Sequence, residues 1–527
     1  MVQQPATVLV VVALVAAAAY FIMTIVDYSN LFVHPDNHQF ILKESLRDGL
    51  AISPQDLVNS MQLRAEGESR PRWLTYLLLS IDQKLRLWLY DWLPTPPTLA
   101  PVSWLLQLVV TPYCLYRLLV NLTRDRLAGL ASVAVYISAV GFLSGFTMWF
   151  MPGKTLSNLM LIGALFGASE AVKHLQPGQL LVDAPGLGKY AALTMLFIGL
   201  FLDEMPIVSF FVLPLVFWSA FVPGWPWTRT SLVAFIKNGL FFSIPVLAFL
   251  VVVVVIAPPV IQYFFGFTFD YLGDTLLVHG NTRTAPSLEV AVTAGLNPEV
   301  LLGNFTTLFG LSLAPWFTSP LVMSPHGNFP ATQVTNLPKI ITFVVFFGAA
   351  VYVAIKARGP QAVHLRGLLV ALPLFIVFLS LLMIRHIPIV TGYYYGAIFA
   401  SLFALLVGLL LAGVSQVMPF GRTIAALAVA LIVGIQIANF GPINDGWRTV
   451  HDETLTRNTM AKARTNRDRR IPIIKEQREL SPGEVRAIWD AWQKDRLDRY
   501  LRDHGVSAAA VYEVVELQEI DRARQRR

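Results

Sequence analysis

Charged residues are scarce in this chain. They make up 14% of its 527 residues, against roughly 25% in an ordinary soluble domain. Hydrophobic residues make up 55% of the chain, and its mean hydropathy is +0.58. This composition excludes a soluble enzyme, a disordered chain and a nucleic-acid-binding domain. It favours a protein that crosses a membrane several times.

Cysteine and nucleotide-binding motifs are also missing. The single cysteine, Cys114, excludes a disulfide framework and a cysteine-based metal site within one chain. The sequence contains no GxxxxGK[ST] loop and no dinucleotide fingerprint, the two motifs that hold nucleotide phosphates at a helix start. An ATP-driven transporter in one chain is therefore excluded.

The charge that is present is concentrated at the C-terminal end. Residues 441–527 carry 18 Lys and Arg and 15 Asp and Glu. Because the two signs nearly balance, this segment is not expected to bind nucleic acid. We expect two domains: a transmembrane domain over 1–440, and a small, soluble, mostly helical domain over 441–527 that offers a surface to a protein partner.

Eleven apolar segments are long enough to cross a membrane, which takes about 20 mostly apolar residues. The first of them lacks the positive start of a signal peptide and continues past Ala16–Ala19, so we interpret it as a retained helix. The predicted fold class is therefore an all-α polytopic membrane protein. The predicted spans are 6–26, 101–121, 128–150, 156–172, 190–204, 206–222, 239–257, 338–355, 367–384, 393–413 and 423–440.

Basic residues in the short loops predict the orientation, because they accumulate on the cytoplasmic side. With the N-terminus in the cytoplasm, the short outer turns hold only Lys154 and Arg385. The long segments 27–100, 258–337 and 441–527 then lie outside. The cytoplasmic turns hold Arg117, Arg124, Arg126, Lys173, Lys189, Arg229, Lys237, Lys356, Arg358, Arg366 and Arg422.

The first outer segment begins with acids and histidines. Asp27 follows the first span, and Asp36 stands between His34 and His38. The two histidines are four residues apart and could share a metal on a helix, but the intervening proline disfavours a regular helix there. Residues 73–93 form an amphipathic stretch rich in Trp, Tyr and Leu, which predicts a helix in the membrane interface.

Polar residues also mark the later outer segments. The apolar stretch 300–317 is interrupted by Gly, Asn and Pro, so we expect a re-entrant or interfacial element there. Asp203 and Glu204 close the fifth span, and Arg385 and His386 precede a tyrosine cluster that includes Tyr393 and Tyr394. Each alone is typical of a solvated helix end; together, on the acidic outer side, they favour a functional site.

This arrangement resembles the multi-spanning glycosyltransferases of the GT-C fold. The resemblance is carried by Asp27 and Asp36 after the first span, by the sequence from Arg70 to Leu77, and by Asp203-Glu204. Asp36-Asn37-His38 stands where the family usually has a pair of acids. The resemblance covers residues 1–440 and implies transfer of a sugar from a polyprenyl-phosphate donor at the outer face.

The residue types fit that chemistry. An acceptor hydroxyl needs a carboxylate base, for which Asp36 or Asp27 is the candidate. Asp203 or Glu204 could orient the acceptor, bind a divalent cation such as Mg²⁺ or Mn²⁺, or share the proton. The leaving lipid phosphate needs cations. The candidates for that role are Arg385 and His386, with Arg283 or Lys154, while Tyr393 and Tyr394 could line the lipid or sugar site or form an interfacial aromatic belt.

Two alternatives stay open. The first is a polymerase or ligase of lipid-linked glycans, in which His279, Arg283 and His326 of the second outer loop would do the work. The second is a transporter or a membrane scaffold that binds a partner through 441–527. The acceptor could be a glycan, as in cell-envelope polysaccharide synthesis, a lipid or a protein. The composition suggests a bacterial inner membrane, with a cytoplasmic N-terminus and a periplasmic C-terminus.

Overall fold

The computed structural model describes residues 3–28, 73–75, 77–78, 81–82, 101–139, 141–142, 152–175, 179–203, 209–217, 229–266, 268–269, 297–313, 337–382 and 394–438. Regular structure in these ranges is helical, and no strand occurs within them. The described part of the protein is therefore all-α, as the composition and periodicity predict. The C-terminal segment 441–527 lies outside the described residues.

The described helices are numbered α1 to α12 in chain order. Two of them, α2 and α7, contain a π-helical section between two α-helical sections. The bounds are α1 Gln3–Tyr28; α2 Pro101–Leu105, Leu106–Val110 and Thr111–Thr123; α3 Arg126–Ser138; α4 Pro152–Val172; α5 Gly188–Leu202; α6 Ser209–Val216; α7 Arg229–Leu250, Val251–Ile256 and Ala257–Phe265; α8 Pro298–Ser312; α9 Leu337–Lys356; α10 Pro360–Leu382; α11 Tyr394–Val417; and α12 Gly421–Ala438.

Four of the described helices are long and apolar enough to cross a membrane: Pro5–Met23, Phe235–Phe264, Ile398–Val417 and Gly421–Ala438. Shorter apolar helices lie in α3, α4, α5, α9 and α10. Each of the eleven predicted spans overlaps a described helix, although the boundaries differ. The protein is thus a helical, membrane-associated protein in its described part.

The helix α11 lies at the centre of the bundle. In the apolar stretch of α11, 83% of the residues are buried, whereas only 28% are buried in the apolar stretches of α1, α7 and α12. On α1 the buried residues form a narrow stripe of Ala6, Val10, Ala13 and Ala17, while Val8, Val12 and Val15 are exposed. Exposed valines are stable in lipid, so these outer helices present apolar side chains where a bilayer would contact them.

The helices α4 and α5 pack closely as an antiparallel pair. A Cβ atom on Gly167 would stand 2.9 Å from the backbone oxygen of Gly188, and one on Gly188 would stand 2.6 Å from the oxygen of Gly167. Small residues at such a crossing let two backbones approach, which is how helices gain contact area in a membrane. This pairing places the end of α5 beside the beginning of α4.

The helix α7 is much longer than its predicted span of 239–257. It runs from Arg229 through the π-helical section Val251–Ile256 to Phe265, a rise of about 55 Å at 1.5 Å per residue. The π-helical section lies just before Pro258 and Pro259, which have no backbone N–H and cannot donate the usual helical hydrogen bonds. The rise exceeds the hydrocarbon thickness of about 30 Å, so one end of α7 extends past the membrane or the helix is tilted.

The segment predicted as re-entrant or interfacial is a continuous helix, α8, within the bundle. Leu308, Phe309 and Ser312 are 0–1% exposed, and the Phe309 ring lies 5.7 Å from that of Phe403 on α11. Its glycines therefore do not interrupt it, because the surrounding helices stabilise it through packing. The structure thus has a packed helix here, and its 15 residues are fewer than the roughly 20 of a full span. Whether this helix is re-entrant or interfacial stays a prediction.

Candidate functional site

Asp203 directly follows α5 and is buried, with a relative exposure of 3%. Its backbone is extended (φ −158°, ψ 157°), while its N–H still donates to the Gly199 carbonyl at 3.0 Å. The 15 residues of α5 rise about 22 Å, which is less than the roughly 30 Å of a hydrocarbon core. If α5 starts at one membrane surface, Asp203 lies at membrane depth, where acids are costly and usually functional or paired.

The first predicted outer segment packs against the end of α5. The Thr75 hydroxyl donates to the Leu202 carbonyl at 2.6 Å, across 127 positions of sequence. Gly153, in the first turn of α4, lies against both groups. The start of α4, the end of α5 and the segment around Thr75 therefore meet at one place. We call this end of the bundle, with the start of α2, the Asp203 end.

An apolar cluster surrounds this junction. The Trp73 ring stacks on Phe201 at 5.4 Å and lies 6.2 Å from Phe269. Phe201 also contacts Phe249 of α7, edge to face at 5.1 Å. The Trp73 indole nitrogen is buried and has no hydrogen-bond partner among the described residues, and a buried donor without a partner costs about 1–3 kcal/mol. This packing excludes water from the backbone just before Asp203.

Asp82 caps the start of α2 at the same end. Its carboxylate accepts from the Val102 N–H at 2.7 Å, from the Ser103 N–H at 3.3 Å and from the Ser103 hydroxyl. Burial raises the pKa of the Asp82 carboxyl above its usual range, against the opposing effect of these hydrogen bonds. Acceptors at a helix start satisfy donors that have no intrahelical partner. Asp82 therefore anchors the 73–82 segment to α2.

A buried polar network links three helices near the Asp203 end. The Asn158 amide on α4 donates to the Tyr136 hydroxyl on α3 at 2.9 Å, and its carbonyl accepts from the Ser401 hydroxyl on α11 at 2.5 Å. All three side chains are at most 1% exposed. Because both functional groups of the amide are satisfied, the network stabilises one arrangement of α3, α4 and α11.

Several residues predicted from the sequence belong to helix ends on this side of the bundle. Lys154 is in the first turn of α4, next to Gly153, and Tyr394 begins α11, seven residues before Ser401. Asp27 is in the last turn of α1, six residues after Phe21, whose ring stacks on Phe142 at 5.7 Å. Phe142 in turn contacts Tyr136 at 4.3 Å. The backbone thus brings the ends that carry Asp27, Lys154, Asp203 and Tyr394 to one side of the bundle.

The other predicted site residues lie outside the described residues, so their roles remain predictions. They are His34, Asp36, His38, Glu204, Arg283, Arg385, His386 and Tyr393. Among the residues that the structure does describe, no group of three or more His, Cys, Asp or Glu side chains could hold a metal ion. The dependence on Mg²⁺ or Mn²⁺ also remains a prediction.

Charged residues at the opposite end of the bundle are paired with one another. Glu170 of α4 contacts Lys173 at 2.8 Å and accepts from Asn121 of α2 at 2.6 Å. Arg422 of α12 pairs with Asp125 at 2.7 Å, and Asp125 also caps α3 by accepting from Leu127. These pairs are typical of solvated helix ends, and they supply a structural role for acids at this end.

Sequence reasoning missed three residues of the Asp203 end: Thr75, Asn158 and Ser401. Thr75 and Ser401 are small polar residues that apolar segments commonly contain, and nothing local marks their partners. An amide inside an apolar span is a stronger signal, because an unpaired amide is costly in hydrocarbon. Asn158 could have been identified as a contact between helices on that ground.

Comparison with known proteins gives no independent indication of function. No family model matches the chain, and neither a curated protein nor a solved structure shows a match to it.

Proposed function

We propose that this protein is a membrane glycosyltransferase that acts at the Asp203 end of its helical bundle. The donor is a polyprenyl-phosphate-linked sugar, and the acceptor is a hydroxyl group of a glycan, a lipid or a protein. The observation that carries the proposal is Asp203: a carboxylate with 3% exposure at the end of a short apolar helix. A buried acid at membrane depth is rare and marks a candidate functional site.

The proposal includes an orientation for the bundle. Eleven spans with a cytoplasmic N-terminus put the Asp203 end on the outer side and the Glu170 end in the cytoplasm. The basic residues near the Glu170 end, including Arg117, Lys173 and Arg422, agree with the accumulation of Lys and Arg on that side. The helix ends with Asp27 and Lys154 then face the same outer space as the predicted loop 27–100.

The proposed reaction is one displacement that inverts the anomeric carbon. The acceptor oxygen forms a bond to this carbon as the bond to the phosphate oxygen breaks. The polyprenyl phosphate leaves with the electron pair, and a carboxylate takes the acceptor proton. Asp36 or Asp27 is the proposed base. Asp203 orients the acceptor, and Lys154 with Arg385 stabilises the charge on the leaving phosphate.

The test is sugar transfer by the full chain in nanodiscs with a panel of polyprenyl-phosphate sugars and hydroxyl acceptors. Wild type is compared with Asp36→Asn, Asp27→Asn and Arg385→Ala. We expect transfer by wild type, and its loss in one of the two aspartate variants. Transfer that survives both aspartate changes but disappears in Arg283→Ala would instead favour the polymerase or ligase alternative. Wild type that transfers no sugar from any donor contradicts the proposal.

A further inference from the structure

Thr75 satisfies a backbone group that α5 itself cannot satisfy. In a longer helix, the Leu202 carbonyl would accept from the N–H of residue 206. That residue is Pro206, which has no N–H. The carbonyl therefore cannot form the usual helical hydrogen bond, and unpaired backbone groups are strongly disfavoured in an apolar environment. The Thr75 hydroxyl supplies the missing donor at 2.6 Å.

This hydrogen bond lies one residue before Asp203, where the backbone changes from helical to extended. Each further helical residue would turn the chain by about 100° around the helix axis. The place where α5 ends therefore determines the direction in which Asp203 leaves the helix. Because the Thr75 hydroxyl binds the carbonyl of Leu202, the last residue of α5, it stabilises the end of the helix at this residue.

Gly153 lies against the hydrogen bond between Thr75 and Leu202, and only a residue without a side chain fits there. A Cβ atom at that position would stand 1.8 Å from the Thr75 hydroxyl and 2.4 Å from the Leu202 oxygen. Both distances are far below van der Waals contact, so any larger residue would displace Thr75 or the end of α5. The fit of Gly153 shows that the hydrogen bond is part of a close three-way contact.

We infer that Thr75 is a positioning residue, whose hydroxyl holds Asp203 in place through the Leu202 carbonyl. The inference deepens the proposed function, on which it rests for what Asp203 does. The position of Asp203 can nevertheless be measured without any transfer reaction. Thr75 itself contacts neither substrate nor reacting atoms in this account.

The first test measures how readily Asp203 reacts with dicyclohexylcarbodiimide, an apolar reagent that modifies buried carboxyl groups. The full chain in nanodiscs is labelled, and the modification at Asp203 is quantified by tandem mass spectrometry, which separates it from modification at the adjacent Glu204. Thr75→Val keeps the side-chain shape and loses the donor, whereas Thr75→Ser keeps the donor. The matched control is Thr306→Val, which removes a hydroxyl-to-carbonyl bond of 2.9 Å inside α8.

We expect Thr75→Val to change the labelling rate of Asp203 by about three- to tenfold, the range set by the net contribution of one hydrogen bond. Thr75→Ser and Thr306→Val should label at the wild-type rate. If Thr75→Val does not fold, Gly153→Ala serves as the second variant, because its methyl group displaces the same hydroxyl. A wild-type labelling rate in the folded Thr75→Val or Gly153→Ala variant overturns the inference.

The second test uses sugar transfer. If Thr75 acts through Asp203, then Thr75→Val lowers kcat while KM for the donor stays within about twofold, and Thr75→Ser restores kcat. In the Asp203→Asn background, Thr75→Val should cause no further loss of kcat. An additive further loss overturns the inference. Changed labelling in a protein whose wild type transfers no sugar would overturn the proposed function alone.

Discussion

Replacing Asp82 should destabilise the protein, because one buried carboxylate satisfies three donors at the start of α2. Asp82→Ala removes a helix cap, which costs about 1 kcal/mol. It also leaves the Val102 N–H, the Ser103 N–H and the Ser103 hydroxyl without this acceptor, at about 1–3 kcal/mol for each donor that stays buried. Because water can reach some of them after relaxation, we expect a total of about 3–5 kcal/mol.

Asp82→Asn is the finer change, and it adds a pH dependence. Burial raises the pKa of the folded Asp82 carboxyl above the value of about 3.9 in an unfolded chain. The folded state therefore binds the proton more tightly. The stabilisation that comes from this tighter proton binding is fully present below pH about 4 and is lost as the pH rises through the pKa of the folded Asp82 carboxyl. The asparagine of the variant does not titrate. The stability of wild type relative to Asp82→Asn should therefore decrease as the pH rises from about 4 through the pKa of the folded Asp82 carboxyl.

The assay is thermal unfolding of the full chain in nanodiscs between pH 3.5 and 8, in ~0.5-unit steps fine enough to resolve one titration. We expect Asp82→Ala to lower the unfolding midpoint by several degrees, and Asp82→Asn by less, because one acceptor oxygen remains. Wild-type stability in Asp82→Ala would refute the capping argument. A difference between wild type and Asp82→Asn that is independent of pH would refute the argument from the raised pKa.

Two further predictions concern packing between helices. Gly367→Ala places a methyl group 1.9 Å from the Leu215 carbonyl oxygen and should destabilise the protein by about 1–3 kcal/mol. Gly348 has open space around it, so Gly348→Ala should be neutral or stabilising by up to about 1 kcal/mol. Equal unfolding midpoints for the two variants would contradict the close contact at Gly367. Asn158→Leu removes the donor to the Tyr136 hydroxyl, while the Ser401 hydroxyl still donates to the Ile398 carbonyl at 2.8 Å. The change should cost about 1–3 kcal/mol, measured as the shift in unfolding midpoint. Since the donor to Tyr136 is already lost, adding Tyr136→Phe should cost little more, and full additivity would contradict a shared network.

The sequence predicts the helices well where composition alone decides them. Each of the eleven predicted spans overlaps a described helix, and four of these helices are long and apolar enough to cross a membrane. Burial of backbone polar groups in lipid requires a helix. The predicted end of the fifth span at 204 is also close to the observed end of α5 at Leu202. Pro206 and two acids mark that end locally.

Longer-range features could not be predicted in the same way. The predicted span 239–257 is shorter than α7, because the helix continues through Pro258 and Pro259 after its π-helical section. α8 was judged too interrupted by glycine, although packing on α11 stabilises it. The Thr75 contact with Leu202 joins residues 127 positions apart, a separation over which no local pattern carries information.

The site was predicted by the chemical types of its residues rather than by their contacts. The sequence selects Asp203 because it falls on the same predicted side as other polar residues, whereas alone it is typical of a solvated helix end. In the structure its side chain is buried instead. The backbone brings the helix ends with Asp27, Lys154 and Tyr394 to the same side of the bundle. Which of these side chains approach one another depends on tertiary packing, and the sequence does not encode it in any short motif.

The most direct test of the central claim compares Asp203→Asn with Asp183→Asn in the sugar-transfer assay. Asp183 is exposed and follows the opposite end of α4, so it controls for loss of one carboxylate. The account predicts that Asp203→Asn lowers kcat by about 10²-fold, the loss expected when a reactant is misplaced by about 1 Å, in a protein with wild-type unfolding behaviour. Asp183→Asn should retain wild-type kcat. Equal kcat values for Asp203→Asn and wild type would contradict the claim that the buried acid serves the reaction.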